Sequence, residues 1–195
     1  MVTLMQTGQD KAADFSIDRE NIKTLILDVF AAGTDTSSIV LEWTMTELLR
    51  NPKILQKLQK EVREIVKQGN DIKDDDLEKM HYLKAVIKET FRYFPPIPLL
   101  LPRLAADDLK MKGYDVTEGT VAMVNVWAIG RDPASWHEPD IFKPERFVGS
   151  TIDFKGFDFE LIPFGAGRKE MDMSEKPGIT IHRAVSLLAV ATKAA

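Results

Sequence analysis

Residues 161–169 read LIPFGAGRK: an apolar run, a glycine-rich turn and two cations. Two glycines let a backbone pass close to a bound group, and Arg168 and Lys169 supply positive charge for an anionic one. The turn is not a phosphate loop, because no Lys-Ser/Thr pair follows a four-residue spacer. Nor is it a dinucleotide fingerprint, since a third glycine and a following helix are missing. Alone, it reads best as a glycine turn at a strand end. The next residues, Glu170, Met171 and Asp172, matter as much, because none is a cysteine and the chain has none anywhere.

Composition bounds the possibilities. The chain has 195 residues, 44% hydrophobic and 29% charged, which suits one globular domain or a large piece of one. A net charge of −4 gives no basic footprint for nucleic acid. The absence of cysteine excludes disulfides, zinc-thiolate sites and thiolate ligation of heme, and no metal ligand is assigned. No apolar run approaches the roughly 18 residues that span a bilayer, so no membrane span is expected. The first 16 residues lack the charged and apolar regions of a signal peptide.

Outward from the turn, the pattern is helical in front and short-stranded behind. Ile17 to Arg50 reads as one long helix capped by Ser16, with apolar residues at Ile22, Leu25, Ile26, Val29 and Phe30, then Leu41, Met45, Leu48 and Leu49. Its middle, AAGTDTSS at 31–38, is a poor helix interior. That stretch reads equally as a tight helix crossing or as a groove opened for a small ligand, with Thr36 offering a hydroxyl and Asp35 a proton. Pro52–Gln68 is a second helix, Gly69–Asp76 an acidic loop, and Leu83–Phe94 a third helix stopped by Pro95-Pro96. Strands are expected at Leu109–Lys112, Tyr114–Val116 and Thr120–Val124, then a Pro-rich meander over Trp127–Phe147 and a hairpin or two strands over Ile179–Val190. The fold class is mainly α with a minor β component.

Two further motifs carry physical content. Glu89 and Arg92 share a helix face at i, i+3 spacing. An exposed pair would be worth little, but Val86, Ile87 and Phe91 surround this one with apolar residues and favour burial. Arg146, from PERF at 144–147, can donate to Glu89 and pin the meander in a three-membered network. Leu99, Leu100, Leu101 and Arg103 read either as an edge segment with a snorkelling cation or as a pocket wall beside a carboxylate-binding Arg.

Taken together and in order, AGTDTS, ETFR, PPIPLLLPR, PERF and PFGAGR resemble the C-terminal part of the cytochromes P-450, the heme-thiolate monooxygenases. NVWAIGRDP and KPERF resemble the plant members that oxidise terpenoids and phenolics. The resemblance runs from about Ile17 to Thr192. It implies a partial cytochrome P-450 fold that binds heme and takes NADPH electrons through a flavin reductase. It implies that Ala32 and Gly33 line the oxygen groove and that Asp35 and Thr36 relay protons. Glu89, Arg92 and Arg146 match the structural triad, and Arg103 and Arg168 match propionate partners. Phe164 and Gly167 match the start of the cysteine loop. A small lipophilic substrate would lie against Leu99, Leu100, Leu101, Val185 and Ser186.

The family pattern runs F-x-x-G-x-R-x-C. Counting along puts Met171 at the cysteine position, but MDMSEKPGITIHRA resembles the stretch well past it. A gap after Lys169 is therefore expected, making residues 1–195 a single, incomplete domain. The family's first half, with its anchor, is also expected to be missing. Endoplasmic reticulum is the family's location, and a chain without an anchor would be cytoplasmic. A thioether at Met171 is neutral and cannot replace a thiolate, and His182 is only a formal substitute. The expectation is an aggregation-prone chain without monooxygenase activity. The other open readings are a non-catalytic interaction protein that pairs with relatives or their reductase, and a heme protein with His or Met ligation.

Overall fold

The computed structural model describes residues 18–66 and 71–166. Helix α1 spans Arg19–Arg50. Ser16 lies outside the described residues, and Asp18 Oδ1 accepts from Asn21 N–H at 2.7 Å at the head of the helix. The AAGTDTSS stretch stays helical throughout. Thr36 Oγ1 donates back to the Ala32 carbonyl at 2.5 Å, so the poor helix formers bond to the helix's own backbone and do not break it.

α1 is also long and apolar enough to cross a membrane, and none of its apolar window is buried. This corrects the expectation that no stretch reaches spanning length, and with it the expectation that the chain lacks a possible anchor. Asp28 and Asp35 interrupt the run of apolar letters, but a helix of this length absorbs them.

Two units part within α1 after Ser38. The second unit, from Ile39 onward, holds the core. Helix α2 (Pro52–Ile65) begins at a proline that needs no intrahelical donor. Helix α3 (Asp74–Lys79) replaces part of the expected acidic loop. Asp74, Asp75 and Asp76 sit in its first turn, where the helix dipole favours negative charge. Helix α4 (His81–Tyr93) ends at Phe94, just before the two prolines.

The strands are short. β1 (Arg103–Leu104) pairs antiparallel with β4 (Val121–Ala122), with Arg103 opposite Ala122. β2 (Leu109–Met111) and β3 (Tyr114–Val116) form a hairpin in which Leu109 faces Val116. Its two-residue turn has Lys112 at φ +48° and Gly113 at φ +87°, the positive pair such hairpins require. The meander carries a short helix, α5 (Val126–Ile129), and a 3-10 turn at Pro144–Phe147.

Two apolar clusters close the core. Leu48, Leu58, Tyr82, Val86 and Phe142 form one; Ala85, Trp136, Phe147 and Leu161 form the other. Both rest on α4, which thereby joins the first two helices to the meander.

Candidate functional site

The densest polar chemistry lies beneath α4. Glu89 and Arg92 have fully buried side chains. Arg92 Nε and Nη2 donate to the two Glu89 carboxylate oxygens, each at 2.7 Å. Arg146 Nε donates to the same carboxylate at 3.2 Å. Lys143 N–H adds another donor at 2.7 Å. Helical spacing brings Glu89 and Arg92 together, while the 3-10 turn brings Arg146 in from the meander.

A buried ion pair costs stability unless its remaining donors are satisfied. Here they are. Arg92 also donates to the carbonyls of Gly130, Pro139 and Ile141, and Arg146 to those of His137, Glu138 and Ile141. The meander's irregular backbone is thus held by two guanidinium forks. No sequence signal marks these acceptors, because every residue has a carbonyl. Gly130 is the exception, since its missing side chain could have hinted at close approach.

A second polar cluster joins residues too far apart in sequence to form a motif. Glu145 Oε1 accepts from Tyr82 Oη at 2.9 Å and from Lys57 Nζ at 2.8 Å. Burial pushes the Glu145 carboxyl up, but the Lys57 and Tyr82 hydrogen bonds outweigh it and hold the group below the usual carboxylate range. Burial and the Glu145 charge push the Tyr82 phenol well up. Glu61 of α2 caps α4 from outside, accepting from Tyr82 N–H at 2.7 Å and Leu83 N–H at 2.9 Å.

The glycine-rich loop is described as far as Ala166. Phe164 is 67% exposed, and its ring meets Phe91 edge-on at 5.2 Å. A Cβ placed on Gly165 would lie 3.8 Å from Leu100 Cδ1, so this loop and the Leu99–Leu101 turn adjoin. Leu99 and Leu101 are exposed, and Arg103 is exposed on β1. In the first unit, Ala32, Gly33 and Asp35 are exposed and Thr36 is half-buried. Gly167, Arg168, Met171, His182, Val185 and Ser186 lie outside the described residues.

An Arg-Glu-Arg network locking a Pro-rich meander, followed by a glycine-rich loop, invites comparison with known proteins. The cytochrome P450 family model matches residues 1–170. The chain belongs to the cytochrome P450 family. Cytochrome P450 71A8 of Mentha piperita is 54% identical, over 97% of this chain and 44% of its own length. Psoralen synthase of Pastinaca sativa is 49% identical over 97% of this chain and 39% of its own length. A zebrafish cytochrome P450 solved with progesterone superposes with a TM-score of 0.71 at 34% identity, covering 81% of this chain and 35% of that one. The chain spans less than half the length of these cytochrome P450 relatives.

The family implies heme held by a cysteine thiolate. The donor set here does not fit that ligation: the chain has no cysteine. Among the described residues, no cluster of three or more His, Asp or Glu side chains could hold a metal ion either.

Proposed function

We propose that this chain descends from a plant heme-thiolate monooxygenase and lacks that enzyme's activity itself. The parent reaction inserts one atom of O2 into a small lipophilic substrate of terpenoid or phenolic class. The other atom leaves as water, with electrons from NADPH through a flavin reductase. Psoralen synthase and the (+)-menthofuran synthase of Mentha piperita, 41% identical to this chain, support the substrate class by their names.

The observation that carries the proposal is the pairing of a complete Glu89–Arg92–Arg146 network with the absence of any thiol. Thiolate donation drives O–O cleavage in this family, and no other side chain here supplies a sulfur anion. Two findings support a gap after Lys169 and a single, incomplete domain. The family match stops at residue 170. The alignment with cytochrome P450 71A8 runs over 222 positions against 195 residues here, so at least 27 of its positions face nothing in this chain. The groove roles of Ala32, Gly33, Asp35 and Thr36, the propionate roles of Arg103 and Arg168, and the pocket roles of Leu99, Leu100 and Leu101 belong to the parent enzyme.

The test is spectroscopic. After incubation with hemin, reduction and CO, the chain should show no Soret band in the thiolate position. Pyridine hemochrome stoichiometry should be near zero. A strong thiolate-type band would overturn the proposal.

A second reading, a non-catalytic interaction protein that pairs with relatives or their reductase, is supported by the exposed apolar side chains of α1. Co-purification of a reductase without heme would favour it.

A further inference from the structure

Two turns of this chain share one pattern. Ile97-Pro98-Leu99-Leu100 closes with Leu100 N–H donating to the Ile97 carbonyl at 3.1 Å. Ile162-Pro163-Phe164-Gly165 closes with Gly165 N–H donating to the Ile162 carbonyl at 2.9 Å. Proline suits the second position of each, because its ring presets φ for a turn. Each turn hands the chain on through a residue of positive φ, +51° at Leu100 and +86° at Gly165. Glycine takes that conformation at no steric cost, whereas leucine crowds its Cβ against the backbone.

The strain at Leu100 has no local relief. Lys112 and Glu138 are the other non-glycine residues of positive φ among the described residues. Lys112 sits in the hairpin turn between β2 and β3, and the exposed Glu138 pairs with Lys143 at 2.7 Å. Leu100 is apolar and half-buried, with no polar atom to bond the neighbouring backbone. Such a conformation persists only where its surroundings enforce it. The backbone of the turn is sewn to the segment after β4: Leu99 carbonyl accepts from Val124 N–H at 3.2 Å, and Pro98 carbonyl from Trp127 N–H at 3.3 Å. The side chain is met by the other turn, since a Cβ built on Gly165 would lie 3.8 Å from Leu100 Cδ1.

We infer that Leu100 is a strained latch between the two turns, which open and close together. If the glycine-rich loop lifts, the contact that offsets the strain is gone, and Leu100 relaxes toward the extended backbone that leucine prefers. If Leu100 relaxes first, its side chain leaves Gly165 and frees the loop. Leu99, Leu101 and Phe164, 42%, 74% and 67% exposed, ride on these turns, so the latch fixes the spacing of this apolar rim.

The test combines urea unfolding with amide hydrogen exchange on the full chain. Leu100→Ala keeps the strained backbone and removes the contact, whereas Leu100→Gly removes both. The glycine variant should be the more stable, with an unfolding equilibrium constant about fivefold smaller than that of the alanine variant. An alanine variant as stable as the glycine variant overturns the strain, because alanine is favoured wherever φ is ordinary. Both variants should speed exchange of Gly165 N–H about threefold relative to Leu161 N–H, which bonds the Asp158 carbonyl. Gly165→Ala, strained by its own φ, should in turn speed exchange of Leu100 N–H. Unchanged exchange at the opposite turn in any of these variants overturns the latch. Should a variant fail to fold, the unaltered chain still decides: Leu100 and Gly165 N–H should exchange with the same urea dependence, and unequal slopes overturn the coupling.

Discussion

Gly130 and Arg92 hold each other on two sides. The Gly130 carbonyl accepts from Arg92 Nη1, and a Cβ built on Gly130 would lie 2.3 Å from the Arg92 carbonyl oxygen. That oxygen belongs to the backbone of α4 and cannot swing aside. Gly130 sits at φ −65°, so contact, not backbone conformation, demands glycine here. Gly130→Ala should destabilise by about 1–3 kcal/mol, in the range of overpacked cores. Urea unfolding would measure it, and a variant of unchanged midpoint would contradict this account.

Glu89 is the hub of the network, and Arg146 is a spoke nearer the surface. Removing one member of a buried ion pair costs about 3–5 kcal/mol. Glu89→Gln should fall in that range, with two guanidinium groups left without their anion. Arg146→Gln should cost less, because its side chain is 9% exposed while those of Glu89 and Arg92 are fully buried. The double variant should be less destabilised than the sum of the singles. Additive losses would mean that the two side chains act independently.

Glu61 serves a helix that is not its own. Its two oxygens take the backbone N–H groups of Tyr82 and Leu83 at the start of α4. Glu61→Ala should cost about 1–2 kcal/mol, at the upper end for a lost cap. Hydrogen exchange should quicken first at Tyr82 and Leu83. Exchange that quickens only in α2 would contradict the capping role.

The Glu145–Tyr82 pair sets opposite limits in pH. The folded chain holds the Glu145 carboxyl below its ordinary value. Its stabilising share is therefore present above the unfolded carboxylate pKa and lost as pH falls through the lower folded one. Tyr82 is shifted upward, so its share is present below about pH 10 and lost as pH rises beyond it. Thermal melts should be flat through neutrality. Glu145→Gln should flatten the acid limb and Tyr82→Phe the alkaline one. Unaltered limbs in both variants would exclude this linkage.

What could be read in advance followed from side chains with a period. The Glu89–Arg92 face and the proline stop after α4 both have local signals. The carbonyls that complete the network do not, since a backbone oxygen has no letter of its own. The run Asp74–Asp76 read as a solvated loop because charge suggests water; in place it opens α3 with the favourable sign. The β1–β4 pair was half-seen: two-residue strands offer no alternation, and their partners lie far apart in sequence. α1 has a helical sequence signal, but two aspartates break its apolar letters, so its spanning length has no uninterrupted run to mark it.

Arg92 recognises the meander through main-chain oxygens at residues 130, 139 and 141. Such recognition is blind to side-chain identity. Substitutions could accumulate along the outer edge of that coil without loosening it, except where glycine is needed for clearance. The tolerance of a long irregular segment to mutation would then be set by one residue elsewhere in the chain.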